Sequence, residues 1–134
     1  MIRYLVDTNI LGYFARRSSE HLIARMQEAL EKKEVAVSVI TRAETLFGLS
    51  RSDPNDKRRR TVKLILEEFP SLDWTSETAD RYGDVAAYLE QTGKSIGQMD
   101  TMIAAHALVT GLTVVTHNTR RFERVPKLNL ENWT

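Results

Sequence analysis

MIRYLVDTN, residues Met1 to Asn9, places apolar or aromatic side chains at Ile2, Tyr4, Leu5 and Val6 and then breaks into three polar residues. The run is too short for helical periodicity, so it reads as a buried strand that turns into a helix at Asp7-Thr8-Asn9. VAVSVI, Val35 to Ile40, repeats the pattern: β-branched and nearly continuous in apolar character, it predicts a second strand covered on both faces, as parallel strands are. Thr41 is then placed to cap a helix carrying Glu44. Leu112-Thr113-Val114-Val115 is a third strand of the same kind.

Helical patterns fill the intervals. Leu22, Ile23, Met26 and Leu30 make one face of a helix from about Glu20 to Lys32. Asp53-Pro54-Asn55 reads as a turn feeding a helix through Phe69, and Ser76 with Glu77 opens another that runs to about Gln91 and stops at Gly93. The loop Gly93 to Met99 gives way at Asp100 to an apolar helix that ends at Gly111. Strands alternating with helices predict an α/β fold, a mainly parallel central sheet with helices on both sides, whose ligands gather at the carboxyl ends of the strands. At 134 residues and 42% hydrophobic content the chain suits one domain spanning residues 1–134.

The composition excludes several chemistries. With no cysteine there is no disulfide framework, thiolate metal site or cysteine nucleophile, and a reducing, cytoplasmic setting is expected. The apolar run after Arg3 closes at Asp7, too soon for a signal peptide, and no later stretch approaches a membrane span. Net charge is +1, from 19 basic and 18 acidic residues, so any nucleic-acid surface must be local. Two clusters qualify: Lys57-Arg58-Arg59-Arg60, and Arg120, Arg121, Arg124 and Lys127. Such runs often form solvated helix faces, but the second lies just beyond a strand end and is better placed to meet RNA.

Asp7 follows the first strand, Glu44 comes soon after the second, and Asp100 opens the helix before the third. A parallel sheet can bring the three together. Clustered carboxylates repel one another and need a cation or protons to offset the charge, and oxygen-only ligands select magnesium or manganese. Taken singly, Asp7 and Asp100 can equally be helix caps. His106 and His117 lack a paired metal-ligand spacing, and His106 on an apolar helix reads as a core residue. Trp74 and Trp133 read as packing residues.

The segments LVDTNIL (Leu5 to Leu11), SVITRAETLFG (Ser38 to Gly48), GKSIGQMDTMIAAHA (Gly93 to Ala107) and VVTHNTRRFERVPKL (Val114 to Leu128) together resemble the PIN domain, specifically the VapC toxins of type II toxin–antitoxin pairs, along essentially the whole chain. The resemblance implies a PIN-like α/β/α sandwich. It puts the family's metal-binding acids on Asp7, Glu44 and Asp100, and matches Thr8, Asn9 and Thr116 to the polar residues around them. The fourth acidic position of many members falls on Asn118, a departure that leaves an amide to position water or ligand. Further implications are magnesium, with manganese as substitute, and cleavage of structured RNA, with transfer RNA, the initiator included, as the substrate class. A homodimer and a VapB-type antitoxin are also implied, with operator DNA met only through that antitoxin. Arg120 and Arg121 join Thr8, Asn9 and Thr116 as candidate substrate contacts, and Asn118 joins the three acids as a candidate catalytic residue.

Two rivals are open to test. A phosphatase of the haloacid dehalogenase type needs a second Asp two residues after the first, where Asn9 stands. A PIN-fold RNA-binding or antitoxin-binding protein with weak or no catalysis would suit the missing fourth acid. A dinucleotide site would need a glycine-rich loop after the first strand, and LVDTNILGYF has one glycine.

Overall fold

The computed structural model describes residues 1–134. In chain order the elements are β1 (Tyr4–Val6), α1 (Thr8–Ala15), α2 (Glu20–Glu31), β2 (Val35–Ser38), α3 (Val39–Arg51), α4 (Lys57–Glu67), β3 (Ser71–Leu72), α5 (Ser76–Gln91), α6 (Gln98–Thr110), β4 (Thr113–Val115), α7 (Thr119–Phe122) and β5 (Leu130–Glu131). The five strands form a sheet in the order β3-β2-β1-β4-β5, and every neighbouring pair is parallel.

Alternation along the short strands sends side chains to two separate cores. Tyr4 and Val6 join Val35, Val37 and Val115 under α1, α2 and α4, with Ile10, Leu22, Met26 and Leu66 among the buried partners. Leu5 and Val114 face the other way, against Leu89, Ile103, Ala104 and Phe122 from α5, α6 and α7. The central strands β1, β2 and β4 are therefore covered on both faces, which is why they read as nearly continuous apolar runs, whereas the edge strands β3 and β5 are only partly buried.

Local chemistry sets the element ends. The second strand stops two residues earlier than its apolar run suggests because the Ser38 hydroxyl accepts the Ile40 N–H at 3.1 Å and so starts α3 at Val39. Ser38, and not Thr41, is the cap; Thr41 lies buried within the helix. Asp53 accepts the Asn55 N–H, making the turn before α4, and α4 ends at Glu67, just short of the expected Phe69. Gly111 closes α6 with φ +71°, a left-handed end that glycine reaches without Cβ strain. Trp133 is buried edge-on to Tyr4, and Trp74 stands edge-on to His106.

Strand order runs outward from β1 in one direction through β2 and β3 and in the other through β4 and β5. The reversal lies between β1 and β4, and the crevice outside their carboxyl ends is where an open parallel sheet binds ligands. Asp7 is the first residue past β1.

Candidate active site

Asp7 is held by the backbone on both sides. Its N–H donates to the Val115 carbonyl at the end of β4, and its Oδ1 accepts the Ile10 N–H at 3.0 Å, capping α1. Only 4% of it is exposed. Burial pushes its carboxyl up to about 6; the Thr116 hydroxyl and the Ile10 N–H pull the other way, while Asp100 and Glu44 add like charge that raises it further.

Glu44 reaches the same place from the second turn of α3. Thr8, one residue past Asp7, donates its hydroxyl to Glu44 Oε1 at 2.7 Å, so the residue after the first acid orients the second. Asp100 comes from the first turn of α6 but does not cap it: the N-cap position is Gly97, with φ +96° and ψ 154°, a conformation essentially confined to glycine. Asp100 Oδ2 lies 3.3 Å from Arg121 Nε, which also donates to the Ile96 carbonyl at 2.8 Å. Burial raises the Asp100 carboxyl, Arg121 opposes that, and Glu44 reinforces it.

These side chains line one cavity of about 360 Å³, with Asp7, Thr8, Asn9, Glu44, Asp100 and Arg121 on its wall. The three acids converge without closing into a three-ligand shell, Glu44 being tied to Thr8 and Asp100 to Arg121. The donor set is all oxygen, two of its members carry carboxyls raised by burial and like charge, and the single guanidinium of Arg121 faces three acids, so negative charge outweighs positive in the site. A hard divalent cation is the group those residues fit.

The other candidates fall into three groups. Thr116 is fully buried and bonds Asp7, while Asn118 caps α7 by accepting the Arg121 N–H; both line an adjoining cavity with Asp7 and Asn9, outside the acidic one. Arg120, Arg121 and Arg124 line a third cavity with Asn118, so that Arg121 joins it to the acids. Lys57, Arg58 and Arg59 instead line a separate cavity against α1 and α3, where Arg58 is paired with Asp56 at 2.9 Å. The first basic cluster is thus apart from the acids.

His106 is the core residue its place on an apolar helix predicts, and the structure adds a task for it. It is 1% exposed, its Nδ1 lies 2.8 Å from the Ser38 hydroxyl, and the backbone of Asp73 supplies a further hydrogen bond. Burial lowers its pKa, so the ring is held neutral. It clasps the cap of the helix that carries Glu44 to the helix that carries Asp100. The 68 residues between the partners explain why no local pattern announces it.

Comparison with known proteins gives a consistent result. The family model described as PIN domain matches residues 4–128. Ribonuclease VapC2 of Haemophilus influenzae is 36% identical over 133 residues, covering 99% of each chain. The tRNA(fMet)-specific endonuclease VapC of Salmonella typhimurium is 32% identical over the same length, also 99% of each. Among solved structures, DNA-bound VapBC from Salmonella typhimurium superposes with a TM-score of 0.91 at 30% identity over the whole of both chains. VapBC2 from Rickettsia felis, bound to a fragment of its promoter DNA, gives 0.89 at 32%, again over the whole of both chains.

Proposed function

The chain belongs to the PIN domain family, in its VapC branch of ribonucleases, and on that premise we propose that it is a magnesium-dependent endoribonuclease toxin acting on structured RNA, transfer RNA first. The observation that carries the reading is the convergence of Asp7, Glu44 and Asp100, from three separate elements, on one cavity at the switch point of the sheet. Asp7, Glu44 and Asp100 would hold the cation. Bound there, magnesium, or manganese in its place, supplies Lewis acidity that brings water toward ionisation at neutral pH and offsets charge on the phosphate.

The chain's own residues supply the rest. Thr8 keeps Glu44 aimed into the cavity, Thr116 and the α1 backbone fix Asp7, and Arg121 offers a guanidinium to a phosphate oxygen within reach of all three acids. Asn9 lines the wall where an RNA strand enters. The similar solved structures are VapBC complexes bound to DNA, in one case promoter DNA; on our reading this chain likewise pairs with a VapB-type antitoxin, forms a homodimer, and meets operator DNA through the antitoxin. No helix is long and apolar enough to cross a membrane, and the cytoplasm is the proposed compartment.

The test is cleavage of total bacterial RNA by antitoxin-free protein in magnesium, in EDTA, and with Asp7→Asn. Discrete new 5′ ends in the magnesium lane alone support the reading. Uncut RNA in every lane, with RNA still bound, would favour a binding protein without catalysis, the rival to which Asn118 at the fourth position lends weight.

A further inference from the structure

Beside the acidic cavity lies a smaller one of about 210 Å³ that shares Asp7 and Asn9 with it and is completed by Tyr13, Thr116, His117 and Asn118. Its composition differs from its neighbour's. One wall is aromatic: the Tyr13 and His117 rings meet edge to face, with centroids 5.4 Å apart at 75°. Tyr13 is braced from behind, since the Arg16 guanidinium lies over its ring at 5.1 Å.

His117 is exposed yet anchored. Thr134 Oγ1 donates its only proton to Asn132 Oδ1 at 2.6 Å, so the 2.9 Å contact between Thr134 Oγ1 and His117 Nδ1 must have the imidazole as donor. That fixes the ring plane and leaves Nε2 for the cavity or solvent. Asn118 spends its Oδ1 on the Arg121 N–H and keeps its amide NH₂ for a ligand, and Asn9 is exposed at the shared rim.

An oriented aromatic wall with amide edges around it is the surface that takes a splayed, single-stranded base; Asp7, at the rim shared with the acidic cavity, is the one acid in the lining, and no Lys or Arg is there to hold a lone phosphate. The position is equally telling. The acidic cavity shares Arg121 with the arginine cavity and Asp7 and Asn9 with this one, so a phosphate in the acidic cavity lies next to both. We propose that the cavity bounded by Tyr13, His117 and Asn118 is a nucleobase subsite, seating the base next to the cut phosphate by stacking on the His117 ring. The inference rests on the ribonuclease reading above and adds to it the side of the site on which RNA sequence is sensed.

The experiment uses a short RNA hairpin carrying the mapped cut site, with 2-aminopurine at the flanking nucleotide, and the full chain as wild type, His117→Ala and His117→Phe. With wild type in EDTA, binding should quench the 2-aminopurine, and cleavage in magnesium should prefer certain flanking bases. His117→Ala should lose the quenching, raise KM about tenfold with kcat within a few-fold, and flatten the base preference. His117→Phe, which keeps a stacking face and loses both ring nitrogens, should restore quenching and KM. An Ala variant with unchanged KM, quenching and preference overturns the subsite while leaving the ribonuclease intact. So does a Phe variant no better than Ala. A wild type that binds total RNA in magnesium and yields no cut site to map overturns the ribonuclease reading and takes the subsite down with it.

Discussion

Asp7 and Asp100 face the same cavity and are built in opposite ways. Asp7 is nearly sealed, caps α1, receives a hydroxyl and two strand ends on its flanks, and has no basic partner. Asp100 stands about a third exposed at the start of α6, caps nothing, and is balanced by the Arg121 guanidinium. One acid is positioned by backbone hydrogen bonds and burial; the other is positioned by a positive charge that a cation can replace or a phosphate can draw away. The site is therefore rigid at the β1 edge and exchangeable at the α6 edge. Perturbations on the two sides should differ in kind as well as in size.

Removing the rigid acid should have the largest effect. Asp7→Asn keeps the cap oxygen for Ile10 and removes a charge, so cleavage should fall about a thousandfold, roughly 4 kcal/mol of transition-state stabilisation. Stability should move the other way. In the folded, metal-free chain Asp7 titrates at about 6, above its ordinary 3.8. The folded state thus binds the proton more tightly than the unfolded one, and its stability declines as pH rises through that window, by up to about 3 kcal/mol. Melting wild type and Asp7→Asn in EDTA at pH 4 and pH 7.5 checks this: the variant's advantage should grow with pH. An advantage that stayed constant would mean Asp7 is not strained by its burial.

The exchangeable side should be softer. Arg121→Ala frees Asp100 and removes a phosphate contact together, and a 10- to 100-fold loss in kcat/KM is expected, carried mostly by KM. Arg121→Lys keeps the charge but cannot serve Asp100 and the Ile96 carbonyl in one fork, and should recover only part. If Arg121→Ala cost as much as Asp7→Asn, the distinction between the two acids would fail. Smaller again is the clasp beneath both helices. His106→Leu should lower cleavage several-fold by loosening α3 against α6, whereas His106→Asn, which keeps an acceptor near the Ser38 hydroxyl, should lose less at an equal drop in Tm.

The same contrast explains what the sequence made legible. Asp7 ends a continuous apolar strand, so its place at the carboxyl end of that strand follows from four neighbouring residues, and Gly93 and Gly111 mark helix ends locally, whereas the N-caps Ser19 and Thr75 emerge only in the structure, the latter one residue before the Ser76 that the sequence suggests. The strands Ser71–Leu72 and Leu130–Glu131 are two residues long and owe their pairing to β2 and β4, which no local pattern can reveal. Ser38 reads as one more strand residue and is the last of β2, but its side chain also starts α3 by a hydrogen bond, which polarity alone does not signal. The pairing of Arg121 with Asp100 spans 21 positions and a strand, so the basic cluster could be seen while its target could not.

The smallest expected effects separate the two basic clusters, which the composition alone makes equals. Arg120 and Arg124 border the cavity that Arg121 joins to Asp100, whereas Lys57, Arg58 and Arg59 line a cavity that contains none of the three acids, and Arg58 already has Asp56 as its partner. Each arginine that neutralises a phosphate releases counterions, so its loss lowers the salt dependence of binding by roughly one unit of slope. Arg120→Ala with Arg124→Ala should therefore flatten the log–log slope of affinity against salt by about two and raise KM about five- to tenfold. Arg58→Ala with Arg59→Ala should change cleavage less than about twofold and leave the slope nearly untouched. Equal changes in both pairs would show that RNA wraps past the acidic cavity to the α4 surface, and that the exchangeable edge at Asp100 extends around the molecule instead of ending at Arg124.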